Sequence, residues 1–123
     1  MNILLVDDHV DTTTIMSLLL RQRGHTVTVA TSVRGALDFL ARHFDLLISD
    51  LGLPDGSGLE IMRAFSRENR IAGIAVSGHS SDEDLERSRL AGFKEHLSKP
   101  IDLPSLLSAI DRITKGMPAV PQN

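Results

Sequence analysis

The chain has no cysteine, tryptophan or tyrosine, and aromatic residues make up only 3% of its 123 residues. Disulfide bonds and thiol chemistry are therefore excluded, and a surface that stacks on bases or sugars is not expected. The net charge is −3 and no block of Lys or Arg is present, so neither nucleic acid nor a membrane is expected as a direct partner. No apolar run approaches the length of a membrane span or a signal peptide, which favours a cytoplasmic protein.

What remains is the composition of an ordinary globular domain, with 41% hydrophobic and 24% charged residues. A chain of this length fits one domain, which we place over residues 1–115. Residues 116–123 contain Pro118 and Pro121 and are predicted to form a flexible C-terminal tail or a linker.

Short runs that end on turn-forming residues recur along the chain and predict five strands. Ile3–Val6, Leu46–Ser49 and Gly73–Val76 are mostly apolar, as expected for strands buried on both faces of a parallel sheet. Thr26–Val29 and Lys94–Leu97 contain more polar residues and belong at the edges. A helical segment follows each run. These repeats predict an α/β, flavodoxin-like (βα)5 three-layer sandwich with a parallel five-stranded sheet in the order 2-1-3-4-5.

Capping residues mark the predicted helix starts. Asp11, Ser32 and Asp102 are predicted N-caps of the first, second and fifth helices, and Ser81 with Asp84 has the spacing of a capping box for the fourth. Apart from two leucines, Leu85 and Leu90, the fourth helix has little to bury and should be the least firmly packed. The side chains with the spacing of an apolar face in the first helix are Ile15, Leu18, Leu19 and Gln22.

Polar residues follow four of the strands at one edge of the predicted sheet. They are Asp7 and Asp8 after strand one, Asp50 after strand three, Ser77 after strand four and Lys99 after strand five. Taken alone, each of these residues is more simply interpreted as a cap, a turn residue or a solvated side chain than as part of a site. Open α/β sheets, however, bind ligands at this carboxyl edge. Like charges ~4 Å apart repel by about 1 kcal/mol in water and more when desolvated. Three carboxylates in one crevice therefore predict a Mg²⁺ site, since this ion prefers oxygen ligands.

Four sequence blocks, LLVDDH, LLISDLGLPDGSGLE, AVSGHS and HLSKP, resemble those of response-regulator receiver domains of two-component phosphorelays. The resemblance covers about Asn2 to Thr114. It implies that Asp50 is the phosphoacceptor. It also implies that Asp7, Asp8, Asp50 and the backbone carbonyl of Gly52 hold Mg²⁺.

The same resemblance assigns roles at the ends of the fourth and fifth strands. It implies that Ser77 and Lys99 bind the phosphoryl group and that a cis peptide bond precedes Pro100. Receivers commonly have an aromatic switch residue three positions before the lysine, where this chain has His96. His79 stands at a position that tunes the lifetime of the acyl phosphate. Both histidines are more simply surface residues than parts of a switch.

The resemblance further implies a histidine kinase or a histidine phosphotransfer protein as the phosphoryl donor. Phosphorylation would then switch the face formed by the fourth helix, the fifth strand and the fifth helix, which would act on a downstream effector or a fused kinase domain. On this reading the chain is not an enzyme, since it catalyses only its own phosphorylation and dephosphorylation. We expect either a stand-alone receiver or one cut from a hybrid histidine kinase.

Three other functions remain open at this point. A Mg²⁺-dependent phosphatase with Asp50 as nucleophile usually has a second acid two residues on, where this chain has Gly52. A flavin-binding electron carrier of the same fold needs a hydroxyl-rich loop after strand one and flanking aromatic residues. A protein-interaction module that is never phosphorylated is disfavoured by the complete set of acceptor residues.

Overall fold

The computed structural model describes residues 1–68, 71–78 and 81–116. Its strands are β1 Asn2–Val6, β2 Thr26–Ala30, β3 Leu46–Asp50, β4 Gly52–Leu53, β5 Gly56–Ser57, β6 Ala72–Ser77 and β7 Glu95–Ser98. The long strands form a parallel five-stranded sheet in the order β2-β1-β3-β6-β7, and β4 and β5 form a separate antiparallel hairpin. Counted without the hairpin, this is the predicted order 2-1-3-4-5.

The five predicted helices are present. They are α1 Val10–Gln22, α2 Val33–Leu37, α3 Gly58–Glu68, α4 Asp82–Ala91 and α5 Leu103–Gly116. The Ser32 hydroxyl accepts the Gly35 N–H, the Asp102 carboxylate accepts the Ser105 N–H, and Ser81 with Asp84 forms a capping box. The predicted cap at Asp11 is wrong, because α1 begins at Val10 and contains Asp11 in its first turn. α5 includes Gly116, and residues 117–123 of the predicted tail lie outside the described residues.

Buried side chains lie on both faces of the sheet, as expected for a three-layer sandwich. Successive residues of β1 alternate between the two layers, with Ile3 on one side and Leu4 on the other. The first layer includes Leu106 of α5, and the second includes Phe65 of α3. Every residue of β3 and β6 is buried, whereas β7 is partly exposed along its length. The two central strands are therefore held rigidly where their carboxyl ends carry polar residues.

The buried face of α1 differs from the predicted one. Thr13, Ser17 and Leu20 are buried, while Ile15 is 61% exposed and Leu18 is 55% exposed. The hydroxyls of Thr13 and Ser17 donate to the helix's own carbonyl groups at 2.9 and 3.1 Å. These small polar side chains can be buried because their hydrogen bonds are satisfied within the helix.

The fourth helix buries little, as predicted, but the expectation that its two leucines would be its buried side chains is wrong. Its buried residues are the small Ser88 and Ala91, and both leucines face solvent, with Leu85 41% and Leu90 73% exposed. In the described parts of the chain, no helix combines the length and the apolar character that crossing a membrane requires.

Candidate functional site

Asp50 is the last residue of the central strand β3 and is 7% exposed. Both of its carboxylate oxygens accept hydrogen bonds. The Lys99 ammonium donates to Oδ2 at 2.5 Å, and the Gly52 N–H donates to Oδ1 at 3.1 Å. The carboxylate is therefore held in one orientation at the carboxyl edge of the sheet.

Lys99 bridges two of the buried acids. Its ammonium contacts Asp50 and lies 3.7 Å from the Asp7 Oδ2, and its backbone N–H donates to the Ser77 carbonyl at 2.8 Å. Burial lowers the pKa of Lys99, but the hydrogen bond to Asp50 and the charges of the nearby aspartates outweigh that effect and raise the pKa above its ordinary value. The peptide bond between Lys99 and Pro100 is cis, as expected.

The predicted crowding of acids is present at the switch point between β1 and β3. Asp7 is buried, Asp8 is exposed, and carboxylate oxygens of Asp7, Asp8 and Asp50 lie within 4.8 Å of one another. An all-oxygen set of this kind fits Mg²⁺, which is bound by one or two carboxylates, a phosphate oxygen and water. Lys99 offsets part of the repulsion from one side.

His9 belongs to this cluster and was missed by the sequence reasoning. Its Nδ1 lies 2.9 Å from the Asp7 Oδ1 and 3.3 Å from the Asp8 Oδ1, and its backbone N–H also donates to the Asp7 Oδ1. The hydrogen bond to Asp7, together with the charges of both acids, raises the pKa of His9. The only sequence signal for this contact is that the histidine directly follows the acidic pair.

The β4–β5 hairpin brings Gly52 next to the carboxylate of Asp50. Gly52 pairs with Ser57 in the hairpin, and the Gly58 N–H donates to the Leu51 carbonyl at 3.1 Å. A Cβ at Gly58 would collide with the Asp50 carbonyl oxygen, so only glycine allows the chain to pass this close to the end of β3. This close approach explains the glycine at that position.

Ser77 and His96 form a direct contact. The Ser77 Oγ and the His96 Nε2 are 2.8 Å apart, across the β6–β7 pair in which Ala75 is the partner of His96. Partial burial lowers the pKa of His96, and the charge of Asp84 offsets part of that effect. His96 is therefore not a simple surface residue. His79 lies outside the described residues.

Comparison with known proteins identifies relatives over almost the whole chain. A family model described as the response regulator receiver domain matches residues 3–111. An uncharacterised 14.6 kDa protein of Leptolyngbya boryana is 31% identical over 96% of this chain and 93% of its own length. The KDP operon transcriptional regulatory protein KdpE of Escherichia coli is 34% identical over 85% of this chain and 47% of its own length.

Solved structures show the same fold. A CheY-like receiver domain protein of Methanospirillum hungatei has a TM-score of 0.85 and 27% identity, covering 93% of this chain and 94% of that one. The chemotaxis response regulator CheY4 of Vibrio cholerae has a TM-score of 0.82 and 27% identity, covering 91% and 97%. The chain spans nearly all of the Leptolyngbya relative but only about half of KdpE and of ArlR of Staphylococcus epidermidis. On these matches, the chain belongs to the response regulator receiver domain family.

Proposed function

We propose that this receiver accepts a phosphoryl group on Asp50 from the phosphohistidine of a histidine kinase or a histidine phosphotransfer protein. The observation that carries the proposal is the environment of Asp50. A buried carboxylate at the end of a central strand has the Lys99 ammonium on one oxygen and two further acids beside it. This arrangement combines a nucleophile with fixed positive charge at the point where a phosphoryl group would arrive.

The transfer is a direct displacement at phosphorus by the carboxylate of Asp50. A carboxylate oxygen of Asp50 forms the new bond to phosphorus, while the bond from phosphorus to the donor imidazole nitrogen breaks and leaves its electron pair on that nitrogen. The product is an acyl phosphate. Negative charge in the loose transition state is spread over the phosphoryl oxygens. Lys99 lies close enough to exchange its contact with Asp50 for one with those oxygens, which stabilises the charge.

We infer that Mg²⁺ binds among Asp7, Asp8 and Asp50, with the backbone carbonyl of Gly52 as a further ligand. Bound there, the ion supplies positive charge to the phosphoryl oxygens. The hydrogen bonds from His9 to Asp7 orient one of the acids that would hold it.

Ser77 would transmit the phosphorylation of Asp50 to the rest of the molecule. A movement of its hydroxyl toward a phosphoryl oxygen would disturb its 2.8 Å contact with the Nε2 of His96, a residue of β7. The face formed by α4, β7 and α5 would then rearrange, and α4 has few buried side chains to resist it. A downstream effector or a fused kinase domain would recognise that face.

The wider context of the domain is also part of the proposal. The chain would act in the cytoplasm as a signalling phosphoacceptor that catalyses only its own phosphorylation and dephosphorylation, either alone or as the receiver of a hybrid histidine kinase. The domain would occupy residues 1–115, with residues 116–123 as a tail or linker.

Intact mass spectrometry after incubation with a small phosphodonor and Mg²⁺ tests the acceptor. Wild type and the control Asp38→Asn, which changes an exposed carboxylate at the C-terminal end of α2, should each gain one phosphoryl group. Asp50→Asn should gain none. Equal labelling of Asp50→Asn would refute the assignment, and rapid turnover of small phosphate esters by the wild type would favour the phosphatase alternative.

A further inference from the structure

Asp55 connects the β4–β5 hairpin to a helix that lies outside the acceptor site. It lies in the turn between the two short strands, and its two oxygens accept the N–H groups of Val33 at 2.8 Å and Arg34 at 3.0 Å. These are the first two residues of α2, whose N-terminal N–H groups attract a carboxylate. The hydrogen bonds from Arg34 and Val33 lower the pKa of Asp55, so it is ionised at neutral pH.

The hairpin itself is packed closely against its surroundings. Gly56 has a φ of +157°, and a Cβ there would lie 3.2 Å from the Val33 Cγ2 and 2.7 Å from the Glu60 Oε1. The Ser57 N–H donates to that same Glu60 oxygen at 3.2 Å. The turn is therefore held between the start of α2 and the first turn of α3.

The other end of the hairpin reaches the acceptor. Leu53 pairs with Gly56 and Gly52 pairs with Ser57, so the position of the turn determines the position of Gly52. Gly52 in turn donates its N–H to the Asp50 Oδ1. A short covalent and hydrogen-bonded path thus runs from α2 through Asp55 to the carboxylate of Asp50.

We propose that Asp55 is a positioning residue for the acceptor site, because it fixes the hairpin to α2 and so holds Gly52 against Asp50. This inference rests on the proposed function of Asp50 and adds a residue to it. A role limited to capping α2 is the alternative. Ser32→Ala separates the two roles, because the Ser32 hydroxyl caps the same helix by accepting the Gly35 N–H.

The test compares the full chain with Asp55→Ala, Asp55→Asn and Ser32→Ala. In ¹H–¹⁵N spectra recorded without Mg²⁺, the Gly52 amide resonance should move in Asp55→Ala and stay in place in Ser32→Ala. In Mg²⁺ titrations, Asp55→Ala should weaken binding ~3- to 10-fold, somewhat less than the 10–100-fold seen when a group bonded directly to a metal ligand is lost. Asp55→Asn keeps one acceptor oxygen and should give an intermediate value.

Two results would overturn the proposal. One is a Gly52 amide resonance that stays at its wild-type position in Asp55→Ala. The other is a loss of Mg²⁺ affinity in Ser32→Ala that equals the loss in Asp55→Ala. If Asp55→Ala fails to fold, Asp55→Asn is judged on the same two measurements. Failure of this proposal can be distinguished from failure of the proposed function. The Gly52 resonance is recorded without metal or phosphodonor, whereas the proposed function is tested by phosphoryl labelling of Asp50.

Discussion

Replacing Lys99 with Met should destabilise the domain through the two buried acids that it bridges. The carboxylates of Asp7 and Asp50 are only 7% and 8% exposed, and the Lys99 ammonium is their common cationic partner. Met retains the length and apolar volume of the lysine stem, so the substitution mainly removes the charge. Asp7 and Asp50 would then repel each other in a poorly solvated crevice.

The size of the effect follows from the geometry. Two unit charges ~4 Å apart attract by about 4 kcal/mol at an effective dielectric constant of ~20. The Lys99 side chain is 28% exposed, so water screens part of this energy. We therefore expect a coupling energy of ~1–3 kcal/mol between Lys99 and Asp50. Because the folded-state pKa of Lys99 is raised, the stabilisation is fully present at neutral pH and is lost only as the pH rises above the ordinary lysine value.

A double-mutant cycle measured by urea unfolding without Mg²⁺ provides the assay. It combines Lys99→Met with Asp50→Asn, and the double variant should lose less stability than the sum of the single ones. The control cycle uses Arg89→Met and Glu86→Gln, an ion pair of similar length, 2.7 Å, whose side chains are 70% and 53% exposed. Its coupling should be clearly smaller, since exposed pairs contribute little. Equal coupling in the two cycles, or none between Lys99 and Asp50, would refute the reasoning.

Two further predictions concern the metal and pH. Mg²⁺ at 100 times its Kd should stabilise the wild type by about 2.7 kcal/mol, and Asp8→Asn should remove most of the resulting rise in melting temperature; an unchanged rise would place the ion elsewhere. The lowered pKa of His96 means that the unfolded chain binds a proton more readily, so stability should fall as the pH drops below ~6.5. The melting temperature of His96→Phe should depend less on pH between 7 and 5 than that of the wild type, and identical slopes would show that His96 does not contribute.

The sequence was sufficient for the architecture and for the grouping of the predicted site residues at one edge of the sheet. Apolar strands need burial on both faces and polar strands tolerate an edge, so composition separated central from edge strands and the right-handed crossover rule completed the order. Parallel strands then bring their carboxyl ends together, which predicted that Asp7, Asp50 and Lys99 lie at one edge of the sheet. The caps at Ser32 and Asp102 were equally predictable, because a cap is a contact between residues three apart.

The contacts made by side chains across elements were decided only by the tertiary structure. The spacing of apolar residues in α1 favoured Ile15 and Leu18 as buried residues. In the structure Thr13 and Ser17 are buried instead, and their hydroxyls make hydrogen bonds within the helix. The other cases join residues far apart in the chain: Ser77 bonds His96 through the register of β6 and β7, and Asp55 bonds the first residues of α2. Local patterns in a sequence encode periodicity and turns. They do not encode which side chains meet when separate elements pack, because that depends on register and loop path over the whole fold.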